Sequence, residues 1–347
     1  MTSLTRRALV LTTSLGLLAT AACAPPEAAD SEPLPDDQEA LVERAKEEGE
    51  VSLGAGGHTK PQADLLAKEF EKKYGIKVTY VRENSGQIAQ KVEAQGEGNR
   101  PFDVVSLNDG GTMQQWADDG LLAEAPVDNA DDILEPLRAD ADYIPFTWYA
   151  LGFAYNSSRT KEAEVPASWK ELATAKGKKA VADPSASGAA LTFATGMKEI
   201  DNTFMATVGK DESLVTDSAL ALSQLLTTGE AKWGIPGIES DIMTAKAAGE
   251  PLAMAYPKGQ IGSMPSFTAP LDGVANPASA RLLVQFMLSE EFQSKQVGIG
   301  SRSVLADQKV PEGGQEIDTA DMLVLTPKDL EDSKDDVTSD FDEAFGR

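Results

Sequence analysis

The sequence predicts an α/β fold of mostly parallel sheet, large enough for two domains with separate cores. Three observations carry this. Short apolar strands alternate with amphipathic helices of about ten to fifteen residues, the pattern of strand–helix–strand units. The 347 residues are 41% hydrophobic and 25% charged, enough to bury two cores. Across residues 180–191 an apolar run stops at Asp183-Pro184, turns through small residues and enters a helix at Ala189-Ala190-Leu191.

Taken in order, residues 39–48 read as a short amphipathic helix ending at Gly49. Val51-Ser52-Leu53 is a strand that runs into the small-residue loop Gly54-Ala55-Gly56-Gly57-His58-Thr59. The next helix, 61–74, spaces Leu65, Leu66 and Phe70 along one face and stops at Gly75. A strand at 76–81, a helix at 87–95 and a strand at 103–107 follow, the last ending in Asn108-Asp109-Gly110-Gly111 before a helix around 113–116. Parallel sheets bind ligands beyond the carboxyl ends of their strands, so His58, Asn108 and Asp109 are candidate contacts. The same residues also suit plain turns and caps.

Residues 145–156 form an aromatic strand long enough to pass from one domain into the other. Its Trp148 and Tyr149, with Trp233, suit either a pocket wall or the core. A helix at 169–175 precedes the 180–182 strand. Residues 214–227 read as one helix carrying Leu220, Leu222, Leu225 and Leu226. A strand at 230–236 ends at Gly237, and a helix (238–248) and a strand (252–256) come next. Residues 264–271 look like the return crossing, and 277–288 are a strong amphipathic helix. The acidic stretch 312–347 reads as solvated surface with one apolar helix face at Phe341 and Phe345.

The turn at 183–190 has chemistry of its own. Ser185 or Ser187 can cap the helix, and the N–H groups of Gly188, Ala189 and Ala190 lie at the positive end of its dipole. No bulky side chain blocks them, so a phosphate, phosphonate, sulfonate or carboxylate can approach. Ser187 adds a hydroxyl that converges on the same anion. An ordinary strand-to-helix turn has the same sequence signature.

The first 22 residues read as a signal peptide: basic Arg6-Arg7, an apolar stretch over 8–18, then small residues. Residues 23–38, rich in Pro, Ala, Glu and Asp, read as a flexible tether. Removing the signal deletes two arginines and no acid, taking the net charge from −25 to −27. That excludes a nucleic-acid partner, which needs a basic face. One histidine and one cysteine leave no Cys–His pair, and no nucleophile elbow, phosphate loop, dinucleotide fingerprint or zinc spacing occurs. No catalytic residue, metal site or cofactor is therefore predicted; an exported hydrolase would have to use His58.

Thr20-Ala21-Ala22-Cys23 resembles a bacterial lipobox, which implies lipidation of Cys23; a plain secretory signal also fits, since Thr20 departs from the usual Leu. Thr5-Arg6-Arg7 is faintly similar to a twin-arginine signal. From Leu65 to Glu291, ordered stretches resemble bacterial ABC-transporter substrate-binding proteins of the ferric-ion and small-anion type. They include residues 65–78, Phe102-Asp103-Val104-Val105, Gly120-Leu121-Leu122, Ala154-Tyr155-Asn156, 165–172, Ala182-Asp183-Pro184 with Ser187-Gly188, Tyr256-Pro257-Lys258-Gly259 and 276–291. The resemblance implies a two-lobed periplasmic-binding-protein-like fold with crossing hinge strands and a central cleft. It puts 39–150 with 264–310 in one lobe and 151–263 with 311–347 in the other. It implies a monomer that closes on a small solute, then docks on a membrane permease served by a separate ATPase. Anchored through Cys23, the protein would stand on the outer face of the membrane; periplasmic or secreted forms are the alternatives.

Residue by residue, Ser187, Gly188 and Ala189 match the segment that grips the anion in the ferric proteins, with Ser185 beside it. His58 lies near a ferric-ligand histidine, and Asn108, next to Asp109, stands where an iron-binding member has glutamate. The paired tyrosines of the iron proteins are missing: their place reads Gly237-Ile238-Glu239. The resemblance therefore favours a small anionic solute over ferric iron.

Overall fold

Side-chain caps set where the helices of this chain begin. A computed structural model describes residues 33–347 other than 96–98, 140–141, 211, 260 and 308. The signal peptide, Cys23 and the tether up to residue 32 lie outside the described residues. Asp37 caps α1 (Gln38–Glu48), and left-handed Gly49 ends it before β1 (Glu50–Ala55). Thr59 and Gln62 form a capping box that starts α2 (Lys60–Tyr74), followed by β2 (Lys77–Val81). Asn84 and Gln87 repeat the device for α3 (Ser85–Glu93), and Asp109 caps α4 (Gly110–Asp118) just beyond β3 (Val104–Leu107). Each such cap contributes about 1 kcal/mol.

The long β4 (Ile144–Asn156) leads to α5 (Trp169–Thr174), β5 (Lys179–Ala182), α6 (Gly188–Ile200) and α7 (Phe204–Gly209). Then come β6 (Leu214–Thr216), α8 (Ala219–Thr228), β7 (Trp233–Ile238), α9 (Glu239–Ala247) and β8 (Leu252–Ala255). The chain returns through β9 (Ile261–Pro270) to α10 (Pro277–Leu288), α11 (Glu290–Val297), β10 (Met322–Leu323) and α12 (Pro327–Phe345). The expected single helix over 214–227 is corrected here. Leu214 to Thr216 pair in parallel with Ala180 to Ala182, and the helix starts only at Ala219.

Among the described residues the strands form one sheet in the order β2-β1-β3-β9-β4-β7-β5-β6, with β8 on β4 and β10 on β9. Pairing is parallel within β2-β1-β3 and within β7-β5-β6. The central β4 and β9 run antiparallel to each other and to their outer neighbours. Separate apolar clusters cover the two ends. Leu53, Leu66, Phe70, Leu283 and Phe286 belong to one; Phe153, Trp169, Phe193, Phe204 and Trp233 belong to another. The divide falls inside β4, where Phe146, Trp148 and Ala150 join the first cluster while Tyr149, Leu151 and Phe153 join the second. Ile317, Met322 and Val324 pack on the first, whereas Phe341 and Phe345 pack on the second.

Gly237 sits inside β7 with no room for a side chain: a Cβ there would lie 2.7 Å from the backbone of both Phe153 and Ala154. Gly237→Ala should therefore lower stability by about 1–3 kcal/mol through overpacking, read as a shifted midpoint in chemical denaturation.

Candidate functional site: a polar cleft where strand ends meet

The register places the site. Leu107, at the end of β3, pairs with Phe267, which pairs with Pro145. Ile238, at the end of β7, pairs with Leu151 from the opposite direction. The carboxyl ends of the two parallel sets thus point at each other over residues 146–150 of β4 and 263–266 of β9. That is the place where open α/β sheets bind ligands.

The first wall is a net of hydrogen bonds among strand-end loops. Gly57 N–H donates to the Ser106 carbonyl at 2.7 Å, and Asn108 N–H donates to Ser85 Oγ at 3.0 Å. Ser266 donates its hydroxyl to Asn108 Oδ1. Gln62 Oε1 accepts from Tyr149 OH at 2.9 Å, from Thr59 N–H at 2.9 Å and from Thr59 Oγ1 at 3.0 Å. With the amide oxygen so committed, buried Gln62 Nε2 has no partner among the described residues. His58 stacks on Phe146 at 4.4 Å between ring centroids, and both its ring nitrogens are buried without partners. Arg82, just past β2, donates Nε–H to the His58 carbonyl at 2.9 Å.

The second wall is built by the first turns of α6 and α9, which follow the adjacent parallel strands β5 and β7. Ser187 caps α6, accepting from Ala190 N–H at 3.4 Å. Gly188 faces open space: a Cβ there would meet nothing within 4 Å. By their place in the first turn, the Gly188 and Ala189 N–H groups have no intrahelical acceptor. Asp241, half-buried in the first turn of α9, lies within the electrostatic reach of both Arg82 and Tyr149.

Residues 66–311 match the family model of bacterial extracellular solute-binding proteins. This chain belongs to that family. An uncharacterized protein of Haemophilus influenzae (strain Rd) is 32% identical over 249 residues, 66% of this chain and 70% of that protein. Among solved structures, the periplasmic binding protein AfuA of Actinobacillus pleuropneumoniae, with fructose-6-phosphate bound, superposes with a TM-score of 0.70 at 24% identity. The match covers 86% of this chain and 99% of AfuA. Iron-bound HitA of Pseudomonas aeruginosa gives 0.70 at 21% identity over 84% and 99%, and a periplasmic thiamin binding protein 0.69 at 20% over 86% and 96%. The fold is the two-lobed periplasmic-binding-protein type, with β4 and β9 as the crossing strands. The protein is an extracellular solute-binding component of the ABC-importer class, and its relatives bind rather than catalyse. Among the described residues no helix is long and apolar enough to cross a membrane.

In this solute-binding protein the sequence-predicted residues fall in different places. His58 and Asn108 come together in the first wall. Ser187, Gly188 and Ala189 line up along the second, while Ser185 turns aside, its N–H and Oγ both bonded to Asp183 Oδ1 at 2.7 and 2.6 Å. Asp109 is occupied by Thr112 N–H and Oγ1 at 3.2 and 2.8 Å. Gly237 lies within the sheet. Glu239 is buried and clamped by Arg302, at 2.5 Å from Nε and 2.9 Å from Nη2, with Tyr256 OH donating to the same carboxylate. Trp148 belongs to the packed core: its indole N–H donates to the Ser303 carbonyl at 2.9 Å, and Arg302 covers its face at 4.6 Å.

Sequence reasoning missed Gln62, Arg82 and Asp241 as groups near these strand ends, and of the aromatics it offered as pocket wall or core, Tyr149 directs its hydroxyl to Gln62. Arg82 and Asp241 each follow the end of a parallel strand, so the rule that singled out His58 and Asn108 would have reached them if applied to every strand. Gln62 is hidden behind its role in a capping box.

Burial, helped by the Arg82 charge, holds the His58 imidazole down to about 3, so it is neutral at physiological pH with one donor and one acceptor nitrogen. Burial raises the Tyr149 phenol above its ordinary range, leaving it a proton donor. Burial also pushes the Asp241 carboxyl up to about 6 against the pull of Arg82.

Because His58 is the only histidine in the chain, its ring C–H signals can be followed without assignment. They should keep the neutral shift from pH 8 down to about 4. The depressed value also means that the unfolded chain takes up this proton first as pH falls. Stability due to His58 is thus complete above about 6.5 and lost between there and about 3. His58→Gln should flatten that part of the acid denaturation curve.

Breaking the buried Glu239–Arg302 pair by Arg302→Met should cost about 3–5 kcal/mol, since it strands a carboxylate in the interior. Thermal or urea unfolding reads this directly.

Proposed function

We propose that this protein captures a small anionic solute between a lobe of residues 39–150 with 264–310, on whose core Ile317, Met322 and Val324 also pack, and a lobe of 151–263 with α12. It then delivers the solute to an ABC permease in the membrane. It works as a monomer anchored through an acylated Cys23, with residues 23–38 as the spacer, and does no covalent chemistry. One observation carries the anionic choice. The cleft has a guanidinium, Arg82, at the end of β2 and an open helix start at Gly188 on the other wall, two groups suited to one acid. The neutral donors of His58, Gln62 and Tyr149 lie between them and suit the rest of a polar molecule.

The resemblance to AfuA, solved with a sugar phosphate, agrees with an organic anion. The iron in HitA raises ferric iron as the second reading. Against it, among the described residues no three His, Cys, Asp or Glu side chains gather where they could hold a metal.

A thermal-shift screen of phosphates, phosphonates, sulfonates, carboxylates, sugars and ferric citrate tests the proposal. An acid should stabilise the protein by roughly 2.7 kcal/mol at a hundredfold excess over its dissociation constant. Ser187→Asp, which sets a negative charge at the α6 start, and Arg82→Gln should each weaken that acid by about 10- to 100-fold. Stabilisation by uncharged sugars or ferric ion, with acids silent, refutes it.

A further inference from the structure

The second wall carries a carboxylate without a protein partner among the described residues. Asp241 is half-buried and accepts no hydrogen bond from any described residue, whereas Glu239, two positions earlier, is held by Arg302 and Tyr256. The cation packed on α9, Arg302, is taken up by Glu239, and Tyr256 donates to that same carboxylate, so neither serves Asp241. β7, β8 and α8 contain no titratable side chain, and β4 offers the Tyr149 phenol. The 311–315 loop adds only another acid, the exposed Glu312, and Lys246 on α9 itself is exposed. The positive charge that acts on Asp241 is Arg82, on the opposite wall.

An acidic solute held by Arg82 and the α6 start would therefore lie beside a negative group that has no protein partner among the described residues. Like charges so placed repel. A solute bearing its own cation removes that repulsion. We propose that Asp241 determines specificity in this cleft: the solute is a zwitterion whose acid group meets Arg82 and the α6 N–H groups and whose protonated amine meets Asp241. This rests on the anion-binding reading of the same cleft. Asp241 and Gly188 follow the neighbouring parallel strands β7 and β5, so both belong to the same set of strand ends. Burial raises the Asp241 carboxyl to about 6, so it is charged at neutral pH and loses its hold on the amine as the medium becomes more acid.

The test is calorimetric titration of the full-length protein with carboxylates, sulfonates and phosphonates on two- and three-carbon chains, each with and without a terminal amine. The tightest ligand should carry the amine and bind at least tenfold more strongly than its amine-free twin at pH 7.5, the advantage shrinking toward pH 5. Asp241→Asn should bring the twins within about twofold by weakening the amine-bearing member and tightening the amine-free one. That gain also shows the variant is folded. Equal twins in the wild type, or an unchanged amine preference in Asp241→Asn, overturn the zwitterion while leaving anion capture standing. Binding of simple amines that lack an acid group, or no binding by any member of the panel, overturns both.

Discussion

The antiparallel pairing of β4 with β9, running from Ile144 opposite Thr268 to Leu151 opposite Gly262, is the constraint on which the other features depend. Both strands continue from one parallel set into the other, so the sets are joined by backbone hydrogen bonds as well as by side chains. Because β3 and β7 add to this ribbon from opposite ends, their carboxyl ends are forced to face each other. Loops that would be unrelated in sequence then share one space. The same geometry divides the apolar core inside β4, and two cores linked by two strands are what hinge closure requires.

Within that space the polar groups are neutral where they are deepest and charged toward the walls. His58 cannot hold a proton so far from water, and Gln62 and Tyr149 are neutral by nature. A buried donor or acceptor without a partner costs about 1–3 kcal/mol, and the His58 nitrogens and Gln62 Nε2 carry that cost in this structure. A solute that hydrogen-bonds to them removes the penalty. The Glu239–Arg302–Trp148 stack lies outside this exchange: it is satisfied already and ties the start of α9 to the crossing strand.

Much of this was legible in the chain because helix starts and strand ends are local signals. Asp183 to Ser187 announces itself through a proline and a serine cap, and the strand before it follows, whereas the expected helix at 87–95 overlooks the Asn84 cap that starts α3 at Ser85. Residues 214–227 misled because four leucines at helical spacing outweighed Val215 and the Asp217-Ser218 break, and parallel pairing with β5 is a tertiary fact. Trp148 and Tyr149 are adjacent aromatics in one strand, and nothing local tells which faces the cleft; Arg302, over 150 residues away, decides it. Glu239 was drawn toward the ligand by its position after a strand, yet its partners Tyr256 and Arg302 come from later parts of the chain. Local chemistry points to the strand ends as candidate contacts, while side-chain pairing across long separations shows which of those residues are already engaged.

The central claim is that an acid group is held between the two walls. A crystal structure of the protein with the acid that most raises its melting temperature tests this most directly. The account predicts the acid oxygens within hydrogen-bonding distance of both the Arg82 guanidinium and the Gly188 and Ala189 N–H groups, with Tyr149 and His58 beneath the rest of the molecule. An acid seated elsewhere, with Arg82 and the start of α6 both untouched, would contradict it.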